Sequence, residues 1–153
     1  MIYQNHVIDP TFFYDAIEEF AFNYIIHVVT DENTIDEYGK THVTYKKQTI
    51  RGSLQDDGVT EVKSKTGNTH VEKYRFYCKS LYRINIGDII EYKNKYLRVN
   101  FVHEYDEYGV REVALQSIKL TAYRDFADYI KYLKGVKLVW LLILLQQMKL
   151  IKY

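Results

Sequence analysis

The spacing of apolar residues along this chain changes period twice. In DPTFFYDAIEEF, Phe12, Phe13, Ala16, Ile17 and Phe20 recur at helical spacing and fall on one stripe. Asp9 followed by Pro10 is a start signal: the carboxylate can cap free N–H groups, and proline has no N–H to leave unsatisfied at the first helical position. A short helix over about 10 to 20 is predicted. From Ala21 onward the period is two. AFNYIIHVVT is rich in β-branched and aromatic residues, DENTIDEYGK is a polar loop ending in a glycine turn, and THVTYKKQTIRGSLQ resumes as strand. DDGVTEVKSKTGN reads as a second polar loop, long and exposed. THVEKYRFYCKS alternates, with Tyr74, Phe76 and Cys78 expected inward and Lys73, Arg75 and Tyr77 outward.

INIGDIIEYKNKYLRVNFV follows as two apolar-rich strands around Lys93-Asn94-Lys95, and FVHEYDEYGVREVALQSIKL makes another pair around Asp106 to Gly109. Six or seven strands joined mostly by hairpins predict a mainly β fold: a small antiparallel β-barrel or sandwich with a short N-terminal helix and C-terminal helices. At Thr121 the period becomes helical again. Thr121 is a candidate N-cap, Phe126, Ile130 and Leu133 form one stripe, and Gly135 is a stop signal. The expected organisation is a β-barrel domain with its N-terminal helix over 1–120 and a helical extension with an apolar tail over 121–153.

That tail, VKLVWLLILLQQMKLIKY, has one charge, Lys137, between Val136 and Leu145. A transmembrane helix needs about 20 apolar residues, so the run is too short to span. It is also too apolar to stand free in water. Burial in its own domain, burial against another protein and adsorption to a membrane surface are the three options. Because the run is apolar all round rather than amphipathic, a protein partner or a second copy is preferred over lipid. Val139, Trp140, Leu141, Leu142, Ile143, Leu144 and Leu145 are therefore the candidate interface.

Composition sharpens this picture. The 153 residues are 47% hydrophobic and 27% charged, which suits a folded domain and not a disordered chain. Sixteen tyrosines suit strands and half-wet interfaces. The single cysteine, Cys78, excludes an internal disulfide and fits a reducing compartment. MIYQNHVIDP has neither a basic start nor an apolar core segment, so no secretory signal is expected. Net charge is +1 but unevenly spread. Residues 1–62 carry eleven acidic and four basic side chains, whereas 129–153 carry five lysines and no acid. Such blocks can align neighbouring copies through complementary fields, or leave a basic face for nucleic acid.

Candidate chemistry is sparse. His6, His27, His42, His70 and His103 are dispersed and make no HxH or HxxxH pair. Glu18-Glu19, Asp56-Asp57 and Glu104, Asp106 and Glu107 fall in helix faces or turns and read as solvated carboxylates. Gly52 and Gly67 are isolated, as bulges and turns require, and form no phosphate-cradling loop. No catalytic residue, metal or cofactor is assigned, and an enzyme is not expected. Basic residues from Lys63 to Arg98 do interleave with Tyr74, Phe76, Tyr77, Tyr82, Tyr92 and Tyr96, as in small barrels that bind single strands. Lys63, Lys65, Lys93 and Lys95 are the candidate DNA-facing residues, and a small β-barrel nucleic-acid-binding protein is the alternative reading.

IRGSLQ, the polar loop after it, YRFYCKSLYRINIGDIIEYKNKYLRV and EYGVREVALQSI together resemble the head-closure, or head–tail connector, proteins of tailed bacteriophages. The matching residues are Gly87, Asp88, Ile89 and Ile90, then Tyr96, Leu97, Arg98 and Val99, and later Ala114 and Leu115. The resemblance spans about 48 to 120. It implies a non-catalytic neck protein of the virion, assembled in the host cytoplasm. Such a protein forms a homo-oligomeric ring that connects the head portal to the tail or a second neck protein and helps retain or channel packaged DNA. The segments 31–40 and 55–68 would be its projecting loops. The N-terminal helix and everything after Leu120 depart from the compact family pattern, and the tail implies an additional docking contact.

Overall fold

The structure, a computed structural model, describes residues 10–30, 33–65 and 67–151. Helix α1 is Pro10–Glu19. The strands are β1 (Phe22–Val29), β2 (Thr34–Ile35), β3 (Thr41–His42), β4 (Tyr45–Ser64), β5 (Gly67–Lys79), β6 (Ile89–Tyr92), β7 (Lys95–Tyr105) and β8 (Val110–Ile118). A single 3₁₀ turn, Leu120–Ala122, precedes helix α2, Arg124–Ile151. Asp9, the expected cap of α1, lies outside the described residues. The chain forms two compact units. One contains α1, β1 and the stretch Lys46–Lys119; the other joins Thr30–Tyr45 to the residues from Leu120 onward.

The first unit is a closed barrel in the order β1-β4-β5-β8-β7-β6, so the barrel form of the expected fold is the one realised. Alternation along β5 sends Tyr74, Phe76 and Cys78 inward, where Tyr74 and Phe76 stand opposite Leu115 and Val113 of β8. With Ile26, Ile50, Ile84, Ile90, Leu97 and Val99 they fill the interior. Each such side chain taken out of water contributes about 1.5–3 kcal/mol. Gly52 is required by this packing, because a β-carbon there would run into the Phe76 ring and the Tyr77 carbonyl.

The hairpin of β6 and β7 turns on Lys93 and Asn94, with φ of 46° and 63°, a left-handed pair whose twist suits a two-residue connection. Lys95 is already the first residue of β7. Ahead of it, Gly87 takes φ 100°, which a side chain would oppose, and donates its N–H to the Val99 carbonyl at 3.0 Å. The corner brings Asp88 inside, fully buried. Its Oδ1 accepts the Val29 N–H at 3.0 Å and its Oδ2 the Asn85 N–H at 2.8 Å. One carboxylate thus ties the corner to the end of β1.

The segment read as a long polar loop is instead a continuation of β4 and β5, which stay paired from Gly58↔Lys73 to Ser64↔Gly67. β5 pairs with β8 only from Lys73 onward, so the earlier residues form a two-stranded arm. The arm starts at a bulge between Asp56 and Gly58. There Gly58 has φ 98° and its N–H bonds the Asp56 carboxylate at 2.8 Å. Arg75 braces the root, bonding Asp57 at 3.0 Å and Glu112 at 2.8 Å.

The second unit holds a small hairpin: β2 lies within the segment expected as the first polar loop, and β3 opens the strand segment expected after it. Its turn is closed by Asp36, whose Oδ1 accepts the Tyr38 and Lys40 N–H groups at 2.9 Å each, and by Gly39 at φ 78°. Gly135 does not stop α2. It keeps a helical, negative φ, and the helix runs on for 28 residues in all, about 42 Å. A glycine inside a helix costs only about 1 kcal/mol relative to alanine, less than the flanking helix formers supply. The predicted helix and tail are one rod. Thr121, the expected cap, sits in the 3₁₀ turn before it.

Candidate assembly surfaces

The base of α2 is held firmly. Phe126 and Ile130 are buried, and the Tyr45 ring meets Phe126 at 5.2 Å and Tyr129 at 5.5 Å. Asp125, in the first turn where the helix dipole favours an anion, accepts the Val43 N–H at 2.9 Å through Oδ2. Its Oδ1 lies 2.9 Å from His42 Nδ1, and Asp36 Oδ2 lies 2.9 Å from His42 Nε2. A ring with a carboxylate at each nitrogen is satisfied only when both nitrogens carry protons. The hydrogen bond to Asp125, then that to Asp36, raises the His42 pKa, and both carboxylates are lowered in turn. The hydroxyls of Thr30 and Thr44 pair as well.

Beyond Gly135 the character of α2 reverses. Val139, Trp140, Leu141, Leu142, Ile143, Leu144 and Leu145 are all exposed, Trp140 at 62%, as are Leu138, Met148 and Leu150. These exposures leave on the order of 1,000 Å² of apolar surface, more than the 300–600 Å² patch of a typical monomer and above the ~800 Å² that one partner buries in a standard interface. Among the described residues, no helix is long and apolar enough to cross a membrane.

A second apolar surface lies on the barrel unit beside α1. The helix is fastened to the outer wall by Tyr14, whose ring tip abuts Gly109, and by Phe13, whose ring lies 4.7 Å from that of Tyr108. Glu18 bonds Arg51 at 3.0 Å and Lys79 at 3.5 Å, which draws its carboxyl below the ordinary range, chiefly through Arg51. Two cavities, of about 280 and 410 Å³, share Phe13, Tyr77 and Val110 in their walls. The first adds Ala16, Ile17 and Phe20; the second adds Tyr105, Tyr108 and Glu112. Glu112 accepts the hydroxyls of Tyr77 at 3.2 Å and Tyr105 at 2.9 Å, fixing the tilt of both rings. A bulge between Val99 and Phe101 reverses the alternation of β7, so Phe101, His103 and Tyr105 face outward as a ring row. Sequence reasoning missed this surface, because a period-two reading carries Val99 straight into Phe101 on the inner face. Asn100 at the bulge is the one signal.

The candidate lysines mark the two ends of the arm. Lys63 and Lys65 are exposed at its tip. Lys95 meets Glu72 at 2.6 Å near its root, and Lys93 lies over the Tyr92 ring at 5.1 Å. About 15 Å of strand separates Glu72 from the tip. Of the aromatics interleaved with these cations, Tyr74 and Phe76 are core residues. Chemistry is quiet elsewhere. Burial pushes the Cys78 thiol up to about 12, which leaves it protonated at neutral pH and a poor nucleophile. Among the described residues no group of His, Cys, Asp and Glu is arranged to hold a metal.

Comparison with known proteins yields a likeness among solved structures. No family model matches the chain, and no curated protein matches it. Among solved structures, a chain from the virion of a native gene transfer agent particle superposes with a TM-score of 0.48 at 10% identity. The superposition covers 63% of this chain and 94% of that one.

Proposed function

We propose that this chain is a structural protein of a phage-type virion, one copy of a ring in the neck that joins the head portal to the tail or a second neck protein. The observation that carries the proposal is the exposed apolar half of α2. A helix anchored at its base and apolar all round over 138–145 exposes a surface that water disfavours, and in this reading other protein covers it. The class of assembly comes from the resemblance of residues 48–120 to head-closure proteins, whose Gly-Asp corner is here the buried Asp88 strut. The work of such a protein is adhesion and channelling, with no cofactor and no reaction. Val139 to Leu145 are the partner-facing residues, and the arm with Lys63 and Lys65 at its tip is directed toward the DNA path or the next ring. Lys93 and Lys95 support the arm at its root. The chain assembles in the host cytoplasm and resides in the virion. Purified particles should contain it in a fixed multiple of copies; particles that lack it would overturn the proposal.

The alternative, a free nucleic-acid-binding barrel, keeps the exposed Lys63 and Lys65 but loses Tyr74 and Phe76 as stacking platforms. It predicts an affinity that falls linearly with salt on logarithmic axes. An absence of binding at low salt discards it.

A further inference from the structure

The two apolar surfaces belong to the same chain and differ in shape and charge, and we infer that they bind each other between copies: the exposed half of α2 from one copy docks on the groove beside α1 of the next. This rests on the reading of the chain as a self-assembling protein. Cavities of about 280 and 410 Å³ admit roughly two or three apolar side chains and not a whole helix, so the docking element is a short row of knobs. Trp140, Ile143 and Leu144 form such a row at i, i+3 and i+4, all exposed. An exposed tryptophan is the kind of anchor that carries most of an interface. Phe13, Tyr77, Tyr105 and Tyr108 offer it aromatic walls already held in place by Glu112 and by α1.

Charge selects this partner over a bundle of tails. From Tyr129 onward the chain has five lysines and no acid, so tails packed on one another would gather like charge. The groove presents the opposite sign. Asp15 and Glu19 are exposed on α1, and Asp106 and Glu107 stand exposed in the turn between the lining residues Tyr105 and Tyr108. The nearby cations are engaged, Arg51 and Lys79 with Glu18, and Arg111 with Glu104 at 3.4 Å. Lys137, one turn before Trp140, is placed to meet the Asp106-Glu107 turn. Because helix and groove are different patches, the contact is heterologous and repeats from copy to copy until the ring closes.

The test places a photo-crosslinking benzoylphenylalanine at Leu144 of the full chain, mixes isotope-labelled and unlabelled copies, and maps the crosslinked peptides. Expected are crosslinks that bridge the two labels and end in residues 13–20 or 105–112. Sedimentation across a concentration series is the second arm. Trp140→Ala should weaken self-association by about thirtyfold or more, with an unchanged circular dichroism spectrum since the residue is exposed. Lys137→Glu should weaken it about three- to fivefold, and the combination of Lys137→Glu with Asp106→Lys and Glu107→Lys should restore it. Crosslinks to the partner's residues 136–150, crosslinks confined to one copy, or a monomer at every concentration would each overturn the docking. Tail-to-tail crosslinks would do so while leaving the assembly reading intact, which fails separately if particles lack the chain.

Discussion

Replacing Asp88 by alanine tests how the barrel closes. The carboxylate is fully buried and accepts two backbone N–H groups, from Val29 at 3.0 Å and Asn85 at 2.8 Å. Alanine leaves both donors without an acceptor, at about 1–3 kcal/mol each. The loss is partly offset, because burial disfavours the charged carboxylate and raises its pKa against the lowering effect of the two hydrogen bonds. A net loss of about 2–4 kcal/mol follows, which in a chain of this size is a melting-temperature drop of about 5–15 °C. Asp88→Asn keeps one acceptor and turns an amide N–H toward the other donor, so about half that loss is expected. The sign of the pH effect is fixed. Since the folded pKa is raised, the folded protein holds this proton longer than the unfolded chain. Stability therefore falls as pH rises from the ordinary aspartate value to the folded value and is level above it. The asparagine variant should lack that decline. Far-ultraviolet circular dichroism is the assay, because the only tryptophan, Trp140, reports on α2 and not on the barrel. An alanine variant melting within about 2 °C of the native protein would refute the strut.

Three other outcomes are expected. Gly109→Ala places a β-carbon against Tyr14 at φ 64°; it should cost about 1–3 kcal/mol and speed hydrogen exchange in residues 13–20, and unchanged exchange there would separate α1 from Gly109. His42 has a raised folded pKa, set first by Asp125 and then by Asp36, so its stabilisation is full below the unfolded histidine value and lost as pH rises through the folded one. His27 is the reverse: burial outweighs its bond to Glu91 and lowers its pKa, so acidification below the ordinary value destabilises the fold. In urea melts from about pH 5 to 9, His42→Gln should remove the alkaline loss and His27→Asn the acid loss; wild-type profiles in both variants would contradict the assignments. Truncation after Gly135 should raise the solubility of the isolated protein with the barrel's melting unchanged, and a truncated chain that still precipitates would place the sticky surface elsewhere.

Sequence pattern was a good guide wherever one face of an element meets the core. Tyr74, Phe76 and Cys78 alternate because the wall of a narrow barrel has a dry side, and Phe126 and Ile130 share a stripe because only one side of that helix is covered. Pattern was silent along the arm. There β4 and β5 pair from Gly58↔Lys73 to Ser64↔Gly67, yet the Gly, Thr, Lys, Ser and Asn residues of that stretch carry no clean period-two alternation. Gly135 misled for another reason: glycine ends a helix only when the chain turns left-handed there, and a residue name does not contain its φ. The apolar run after it, whose side chains over 138–145 are exposed, was legible in the sequence. The groove beside α1 was not, because it depends on a one-residue bulge in β7 and on where α1 comes to rest.

On the proposed function, the exposed half of α2 builds this chain into a particle. Imaging of tagged protein in purified particles, full-length beside a chain ended after Gly135, tests it most directly. Label is expected at the head–tail junction for the full-length chain and none for the shortened one. Equal labelling of both, or no label from either, would contradict it.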